Sequence, residues 1–163
     1  MEGAAPLHPS AQRVADALTS KGVHGPFREF EASTKTAAAA AQALGCDVGA
    51  IASCLVFMVD DEAVVVIKSG SFRVDTDYLG AIANGTIVRQ ASPEEVRIAT
   101  GQPIGGVSPS GWPQALRVFI DDTLNGFDRL WAACGTPNAV FATNYDELRY
   151  LTDATPIALR APT

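Results

Sequence analysis

The sequence is poor in the residues that build disulfide frameworks and zinc sites. Its 163 residues include 3 cysteines and 2 histidines. Cys46, Cys54 and Cys134 show no CxxC spacing, and His8 and His24 lie away from all three. Disulfide scaffolds need paired thiols, and structural zinc needs clustered Cys and His side chains. We therefore predict no metal site and three reduced, buried thiols that pack as small hydrophobic groups.

Long hydrophobic runs are also missing. The longest apolar stretch, Ile51 to Val59, has the length of a strand, whereas a membrane-spanning helix needs about 20 apolar residues. Residues Met1 to Pro9 lack the basic region and apolar stretch of a secretory signal. We therefore expect a soluble, cytoplasmic protein without a membrane partner.

Positive charge is scarce. The chain has 12 Lys and Arg residues against 18 Asp and Glu residues, a net charge of −6. Proteins that coat nucleic acids need a basic surface, so this balance argues against general nucleic-acid binding and against a DNA partner. It still allows an enzyme that contacts only the end of an RNA through a small local patch.

Nothing in the sequence divides the chain into parts, because it shows no repeat, no linker and no block of like charge. Apolar residues make up 47% of the chain and charged residues 18%, which is typical of a compact globule. We therefore predict one domain over residues 1–163.

The common catalytic motifs are missing as well. The chain has no GxSxG elbow, no P-loop, no HExxH and no GxGxxG after a strand. Asp121 and Asp122 are adjacent at the end of a predicted strand, so their side chains point to opposite faces and favour a turn over an acid–base pair. His24 lies between glycine and proline residues and is expected on the surface. No catalytic machinery is evident from these residues alone.

Local signals predict helices and strands in alternation. Ser10, Asp75 and Ser92 are predicted helix N-caps, and Glu95 completes a capping box with Ser92. The alanine run before Gly45 predicts a thin helix that packs closely on a sheet. Predicted helices begin at Pro9, Thr36, Thr76, Pro93 and Asn144, and predicted strands cover residues 27–30, 51–59, 63–67, 86–89, 115–120, 127–133, 139–142 and 156–159. Strand pairs interrupted by helices favour an α/β fold of the α+β type with a mixed, largely antiparallel sheet.

A loop rich in glycine and proline follows the fourth predicted helix. It runs from Thr100 to Gly111 and contains Gly105, Gly106 and Pro109. Glycine allows close approach of the backbone to a ligand, and proline limits the freedom of the loop. Such a loop is suited to aim N–H groups at a carbonyl oxygen that becomes negative during hydrolysis. The composition is equally consistent with a long surface connection.

The order of several segments resembles the YbaK-type family of aminoacyl-tRNA editing domains, which includes free-standing relatives of the INS-like editing domain of prolyl-tRNA synthetase. The resemblance extends from about Thr34 to Leu151. The segments that carry it are Thr36–Gly45, Ile51–Phe57, Ile67–Gly70 before Arg73–Asp75, Ser92–Val96, Gly101–Gly111, Phe119–Asp121 and Trp131–Pro137.

The resemblance implies a partly barrel-like mixed sheet flanked by helices, and a trans-acting deacylase that needs no cofactor. Water would attack the ester of a mischarged tRNA, with help from the ribose hydroxyl of the substrate. Gly105 and Gly106 would supply N–H donors to the ester carbonyl. The implied partners are the acceptor end of aminoacyl-tRNA and a prolyl-tRNA synthetase. Substrate-binding roles are implied for Thr34, Gly101, Val107, Ser108, Pro109, Gly135, Thr136, Pro137 and Asn138.

One position departs from the family pattern. Family members commonly carry lysine at the third place of the strand that starts at Ile51, and here the residue is Ser53. A serine hydroxyl is short and neutral, so it does not replace a long cationic donor. Either Lys68, on the partner strand, reaches the same pocket and supplies the charge, or catalysis is lost or altered.

Three functions are consistent with these observations. The first is a trans-acting editing deacylase for tRNA(Pro) that carries a small amino acid such as Cys, Ala, Ser or Thr. The second is a catalytically weak module that binds a tRNA end or a synthetase, which Ser53 and the acidic balance favour. The third is a hydrolase of another small acyl ester or amide. The sequence does not select the amino acid or the oligomeric state.

Overall fold

The structure, a computed structural model, describes residues 7–158 and 161–162. Within them, the helices are α1 (Pro9–Ser20), α2 (Ala37–Leu44), α3 (Thr76–Ala83), α4 (Pro93–Thr100) and α5 (Tyr145–Thr152). The strands are β1 (Phe27–Glu29), β2 (Ile51–Val59), β3 (Glu62–Ser69), β4 (Phe72–Arg73), β5 (Val88–Gln90), β6 (Arg117–Asp121), β7 (Leu130–Ala133), β8 (Ala139–Thr143), β9 (Thr155–Ile157) and β10 (Ala161–Pro162).

One sheet of eight strands organises the described residues. Its strand order is β1-β8-β7-β2-β3-β6-β9, and β5 pairs with β2 beside this path. Antiparallel pairs join β1 to β8, β8 to β7, β2 to β3 and β2 to β5. Parallel pairs join β2 to β7, β3 to β6 and β6 to β9. The α/β fold with a mixed sheet, predicted from the sequence, is confirmed.

Strand β2 is paired along most of its length on one edge, and only near its two ends on the other edge. On one edge, β3 pairs with β2 from Ala52 to Val59. On the other edge, β7 pairs only with Ile51 and Ala52, and β5 pairs only with residues from Phe57 onward. Residues 53–56 of β2 therefore have no strand beside them on this second edge among the described strands. We call this stretch the open edge of β2.

Helix α2 covers the sheet beside the open edge. Ala40 and Ala41 are buried against Ile51, Trp131 and Val140. The small alanine side chains allow the helix to approach the sheet closely, as the alanine run predicted. Thr36 caps the helix by accepting a hydrogen bond from the Ala39 N–H (3.1 Å), and Gly45 ends it with φ of 69°.

The other caps are mostly those predicted. Asp75 accepts from the N–H groups of Asp77 and Tyr78, and Ser92 and Glu95 form the expected capping box. The prediction that Ser10 caps α1 is wrong. The cap is His8, whose Nδ1 accepts from the Ser10 N–H at 3.1 Å. Because proline is favoured at the first helical position, Pro9 begins the helix and moves the cap one residue before it.

Several strand boundaries also differ from the predictions. The strand predicted over 127–133 starts at Leu130, because residues Asp122–Gly126 form a 3-10 helix and the chain rejoins the sheet only later. The last predicted strand, 156–159, is β9 from Thr155 to Ile157. Its final predicted residue, Leu159, lies outside the described residues.

Two predictions about polar residues are confirmed. Asp121 is fully buried and accepts hydrogen bonds from the Ser69 N–H (3.0 Å), the Thr123 N–H (3.0 Å) and the Thr123 hydroxyl (2.8 Å). It therefore holds a turn, while the neighbouring Asp122 is exposed. His24 is exposed, as expected.

The three cysteines are free thiols, of which Cys134 is fully buried and Cys46 and Cys54 are partly buried. Among the described residues, no cluster of His, Cys, Asp and Glu side chains is suited to hold a metal ion. Within the same residues, no helix has the length and apolar character needed to span a bilayer.

Candidate functional site

A cavity of about 260 Å³ lies at the open edge of β2. The ends of β7 and β5, the start of α2, helix α4 and the glycine-rich loop surround it. The residues that line it are Thr34–Ala37, Ala40, Ile51–Val56, Lys68, Gln90, Ala91, Val96, Ile104, Gly105, Val107, Trp131–Ala133 and Val140.

The backbone of Cys54 faces this cavity. The Val56 C=O accepts a hydrogen bond from the Ala91 N–H (3.1 Å), beside β5, and the Ile51 C=O accepts from the Gly70 N–H (3.0 Å), beside β3. Successive residues of a strand direct their backbone groups to opposite edges. Cys54 lies two residues before Val56, so its N–H and C=O also point to the open edge, where neither β7 nor β5 pairs with it.

Ser53 and Lys68 both line the cavity and are direct cross-strand partners. The Lys68 Nζ donates hydrogen bonds to the carbonyl oxygens of Phe72 (2.7 Å) and Ser69 (3.2 Å). Lys68 is half-buried, and this burial lowers its pKa, while the charge of Asp121 acts in the opposite direction. A cation therefore lies directly opposite Ser53, on the neighbouring strand of the cavity wall.

Lys35 is a second cation at the cavity and was not predicted from the sequence. This lysine lines the cavity and its stem packs on Gly105, where an added Cβ would lie 2.5 Å from the Lys35 Cγ. Gly105 also has φ of 82°, which favours glycine. One signal was available in the sequence, because Lys35 is the sole charged residue between Glu31 and Asp47.

The glycine-rich loop is held by its own hydrogen bonds. The Gln102 side chain accepts from the Ser108 N–H (2.7 Å) and donates to the Ser110 C=O (2.9 Å). The Trp112 indole N–H donates to the Ser108 C=O (3.0 Å). Ser108 and Ser110 are buried, so the loop is an internally bonded part of the fold and not a simple surface connection.

Gly106 joins this loop to the segment after β7. Its N–H donates to the Pro103 C=O (2.9 Å), and an added Cβ would lie 2.6 Å from the backbone carbon of Thr136. Thr34 fixes the same segment from the other side, because its N–H and hydroxyl both donate to the Pro137 C=O (2.6 and 2.9 Å). The Gly106 N–H is thus engaged within the loop.

The predicted site residues fall into separate groups. Thr34, Ser53, Lys68, Gly105 and Val107 line the cavity at the open edge. The structure does not bring the others into it. Gly101, Gly135, Thr136 and Pro137 line a second cavity of about 420 Å³. Asn138 donates to the carbonyl oxygens of Phe30 and Glu31, Ser108 is bonded within the loop, and Pro109 lines a third cavity on another side of the loop.

The second cavity is basic, in a chain of net negative charge. Arg13 of α1 and Arg97 of α4 both line it. The ion pair observed in the described part of the chain joins Arg89 to Glu95, so neither of these two arginines has a carboxylate partner there. Pro103, Thr136 and Pro137 also line this cavity. Thr136 is in close contact with Gly106, the neighbour of Gly105 in the first cavity, and we call this Gly106–Thr136 contact the wall.

The cavity at the open edge offers cations and backbone groups and no side-chain base. None of the described residues that line it is Asp, Glu or His. Burial raises the pKa of the Cys54 thiol to about 12, so this thiol is neutral at physiological pH and is a poor nucleophile. Such a site is suited to bind and polarise a carbonyl group.

Comparisons with known proteins identify the family. The family described as the aminoacyl-tRNA editing domain matches residues 31–151, a range that includes every residue lining the cavity. One similar crystal structure is that of a proposed trans-editing enzyme for prolyl tRNA synthetase. It is 43% identical, has a TM-score of 0.88, and the match covers 95% of this chain and 99% of the other.

Two curated relatives extend the comparison. The uncharacterised protein YwhH of Bacillus subtilis is 32% identical over 121 residues, which cover 74% of this chain and 76% of YwhH. A proline–tRNA ligase of Lactobacillus gasseri is 30% identical over 76 residues, which cover 47% of this chain and only 14% of the ligase. The likeness to the ligase is thus confined to a small part of that enzyme. From the family match and these relatives, the chain belongs to the aminoacyl-tRNA editing domain family.

Proposed function

We propose that the protein is a trans-acting deacylase that hydrolyses the ester of a mischarged tRNA, with tRNA(Pro) as the carrier of the wrong amino acid. The observation that carries this proposal is the cavity at the open edge of β2. It lies within the residues matched by the editing domain family and combines two lysines with backbone groups that have no strand partner.

The chemistry needs only water and a polarised carbonyl. The water oxygen forms a bond to the ester carbon, and the bond from that carbon to the ribose oxygen breaks. One proton of water passes to the departing ribose oxygen, and the other is released to solvent as the carboxylic acid ionises. Negative charge develops on the carbonyl oxygen, and donors fixed in a dry cavity stabilise it. Lys35 and Lys68 supply cations at the cavity, and the neighbouring ribose hydroxyl of the substrate orients the water.

The size and walls of the cavity favour small, uncharged amino acids. The volume of about 260 Å³ must hold the aminoacyl group and part of the ribose. Apolar side chains such as Ile51, Val96 and Val140 form much of the wall. Removal of one methylene from a ligand changes its binding in an apolar pocket only about 10- to 200-fold. A synthetase therefore cannot fully reject smaller amino acids, and a second site that hydrolyses the wrong product is useful. Alanine, cysteine, serine and threonine fit this requirement.

The second cavity supports an RNA partner. Arg13 and Arg97 lie there without a carboxylate partner in the described residues, on the far side of the wall formed by Gly106 and Thr136. Guanidinium groups bind phosphate through paired N–H donors. In this proposal they contact phosphates of the tRNA acceptor end, and the protein acts in the cytoplasm beside prolyl-tRNA synthetase, as a single domain over residues 1–163.

One observation favours a second candidate function. Ser53 stands where the family commonly has lysine, and the Lys68 Nζ already donates to two carbonyl oxygens. A protein whose lysine ammonium is already hydrogen-bonded to its own backbone would bind the end of an aminoacylated tRNA, or a synthetase, without hydrolysing the ester. The two functions differ in one measurable property, which is the hydrolysis of mischarged tRNA.

The deciding experiment is a deacylation time course on tRNA(Pro) charged with Cys, Ala, Ser, Thr or Pro. The expected result is rapid hydrolysis of at least one small aminoacyl ester while prolyl-tRNA(Pro) is spared. Lys35→Met and Lys68→Met, which keep the length of the stem and remove the charge, are run in parallel with Arg73→Met as a control outside the cavity lining.

Two other outcomes have distinct meanings. Tight binding of the charged tRNA without hydrolysis would support the binding module. Equal hydrolysis of a simple alanine ester and of alanyl-tRNA would instead support a hydrolase for small acyl esters.

A further inference from the structure

We propose that the aminoacyl group binds to the open edge of β2 as a strand of one residue, paired with Cys54. In this arrangement the Cys54 N–H donates to the ester carbonyl oxygen, and the α-amino group of the substrate donates to the Cys54 C=O. The inference rests on the proposed function and names the groups that recognise the substrate. It assigns a role to the backbone of Cys54 and none to its thiol.

The sheet itself dictates the direction of these backbone groups. The hydrogen bonds from Ala91 N–H to Val56 C=O and from Asp60 N–H to Ile87 C=O show that residues 56 and 60 point away from β3. The β2–β3 register runs without a bulge from Ala52 to Val59, so the alternation is unbroken and Cys54 points the same way. On that side, the register of β7 stops at Ala52 and that of β5 starts at Phe57.

Backbone groups at this position need a partner. A buried N–H or C=O without a hydrogen bond is costly, and almost all such groups in folded proteins are paired with protein or with water. An unpaired strand edge therefore attracts any chain that presents complementary groups, as in peptide recognition by strand addition. The open edge of β2 is too short for another strand of the protein and has room for a single residue.

An aminoacyl ester has the complementary groups. In the hydrogen-bonded pair of an antiparallel ladder, two facing residues exchange both of their N–H···O=C bonds. An aminoacyl ester carries a nitrogen donor and a carbonyl acceptor on either side of one Cα, as a residue of a strand does. The pairing uses no side-chain atom of the substrate, so it accepts different amino acids, and the apolar walls set the size limit.

The same contact assists hydrolysis. When water adds to the ester carbon, the carbonyl oxygen becomes negative, and the hydrogen bond from the Cys54 N–H strengthens because its acceptor is charged. When the bond to the ribose oxygen breaks, one proton of water passes to that oxygen. The other proton is released to solvent, so the amino acid leaves as a carboxylate. The Gly106 N–H, engaged with Pro103, is not required for this step.

A matched pair of proteins tests the role of the N–H. Cys54→Ala keeps the backbone amide, and incorporation of lactic acid at position 54 of the full chain replaces the N–H of that alanine variant by an ester oxygen. The rate at which Cys54→Ala deacylates mischarged tRNA is the reference for the pair. We expect the lactic-acid protein to lose about 100- to 1,000-fold in kcat, the usual effect of one lost donor to the developing charge. Equal rates for the pair, with equal thermal unfolding midpoints, would overturn the inference.

A binding experiment separates this inference from the proposed function. The probe is 3′-deoxy-3′-(alanylamino)adenosine, whose amide is not hydrolysed and keeps both complementary groups. We expect it to bind the Cys54→Ala protein at least about tenfold more tightly than the lactic-acid protein, since one hydrogen bond contributes about this factor. Absence of hydrolysis by the wild-type protein together with this difference would reject the deacylase and retain the pairing. Equal affinity for both proteins would reject the pairing, whatever the turnover.

The substrate also tests the second hydrogen bond. Propionyl-tRNA lacks the α-amino group of alanyl-tRNA and is otherwise the same. After each rate is divided by its uncatalysed rate, we expect at least about a tenfold preference for the alanyl ester in the wild-type protein, the factor that one hydrogen bond contributes. No preference would remove the Cys54 C=O from the proposal.

Discussion

Ser53 and Lys68 lie directly opposite each other on the antiparallel strands β2 and β3, at the wall of the cavity. Facing side chains of an antiparallel pair are separated by only about 5 Å between their Cβ atoms. An ammonium group on either strand therefore reaches nearly the same region. With Ser53 on β2, the cation at this part of the cavity wall is Lys68 on the neighbouring strand.

A charge exchange between these two positions tests this relationship. Ser53→Lys alone places two ammonium groups opposite each other, and we expect the free energy of unfolding to fall by about 1 kcal/mol. The double variant Ser53→Lys, Lys68→Ser again has one ammonium group, and we expect it to recover most of that loss. Urea denaturation measures both. If the double variant is no more stable than Ser53→Lys, the two side chains do not interact.

The stability of the protein at high pH should also depend on the protonation state of Lys68. Burial lowers the pKa of Lys68 below its usual value of 10.5, with the charge of Asp121 opposing the shift. Between the lowered pKa and 10.5 the unfolded chain binds more protons than the folded chain, so the contribution of this group to stability rises with pH. We expect the Lys68→Met protein to lack this rise in the free energy of unfolding with pH. Parallel urea titrations of the two proteins at several pH values measure it, and identical pH profiles would contradict the burial argument.

Two glycines provide a matched test of the wall between the cavities. A Cβ on Gly106 would lie 2.6 Å from the Thr136 backbone, whereas a Cβ on Gly126 would meet no atom within 4 Å. We expect Gly106→Ala to reduce the free energy of unfolding by about 1–3 kcal/mol, because backbone must move to admit the methyl group. Gly126→Ala should change it by no more than about 0.5 kcal/mol. Chemical denaturation measures both variants, and similar values would show that the wall accommodates a side chain.

The two arginines of the second cavity should affect RNA and small substrates differently. We expect Arg13→Gln with Arg97→Gln to raise KM for mischarged tRNA and to leave KM for a simple aminoacyl ester unchanged. Because each phosphate contact to a single strand contributes about 0.7 to the slope of log K against log salt, the double variant should reduce that slope by about 1.4. The control is Arg73→Gln with Arg129→Gln, which removes the same charge elsewhere. A slope that falls equally in the control would assign the effect to net charge alone.

Much of the local structure was predictable because its causes lie within a few residues. The cap at Asp75, the capping box of Ser92 and Glu95, and the left-handed Gly45 depend on hydrogen bonds across one turn of chain. The wrong prediction for the cap of the first helix also has a local cause. His8 and Ser10 both carry acceptors near Pro9, and the sequence does not show which one takes the cap.

The candidate site was predictable only in part. Ser53, Lys68 and Gly105 were identified from the resemblance, and the structure brings them to one cavity. Lys35 was missed because its role depends on contact with Gly105, which is 70 residues away in the sequence. Gly135 and Thr136, which the resemblance places beside the amino acid, line the second cavity, where Thr136 is in close contact with Gly106.

The sequence by itself determined where most helices begin and end, which residues are apolar enough to form the sheet, and which family the order of segments resembles. Only the tertiary structure decided that β7 leaves β2 after Ala52 and that β5 joins it at Phe57. The physical reason is that pairing along this edge of β2 depends on the paths of β5 and β7. Both strands are distant from residues 53–56 in the chain. The alternation of apolar residues along β2 is the same whether that edge is filled or open.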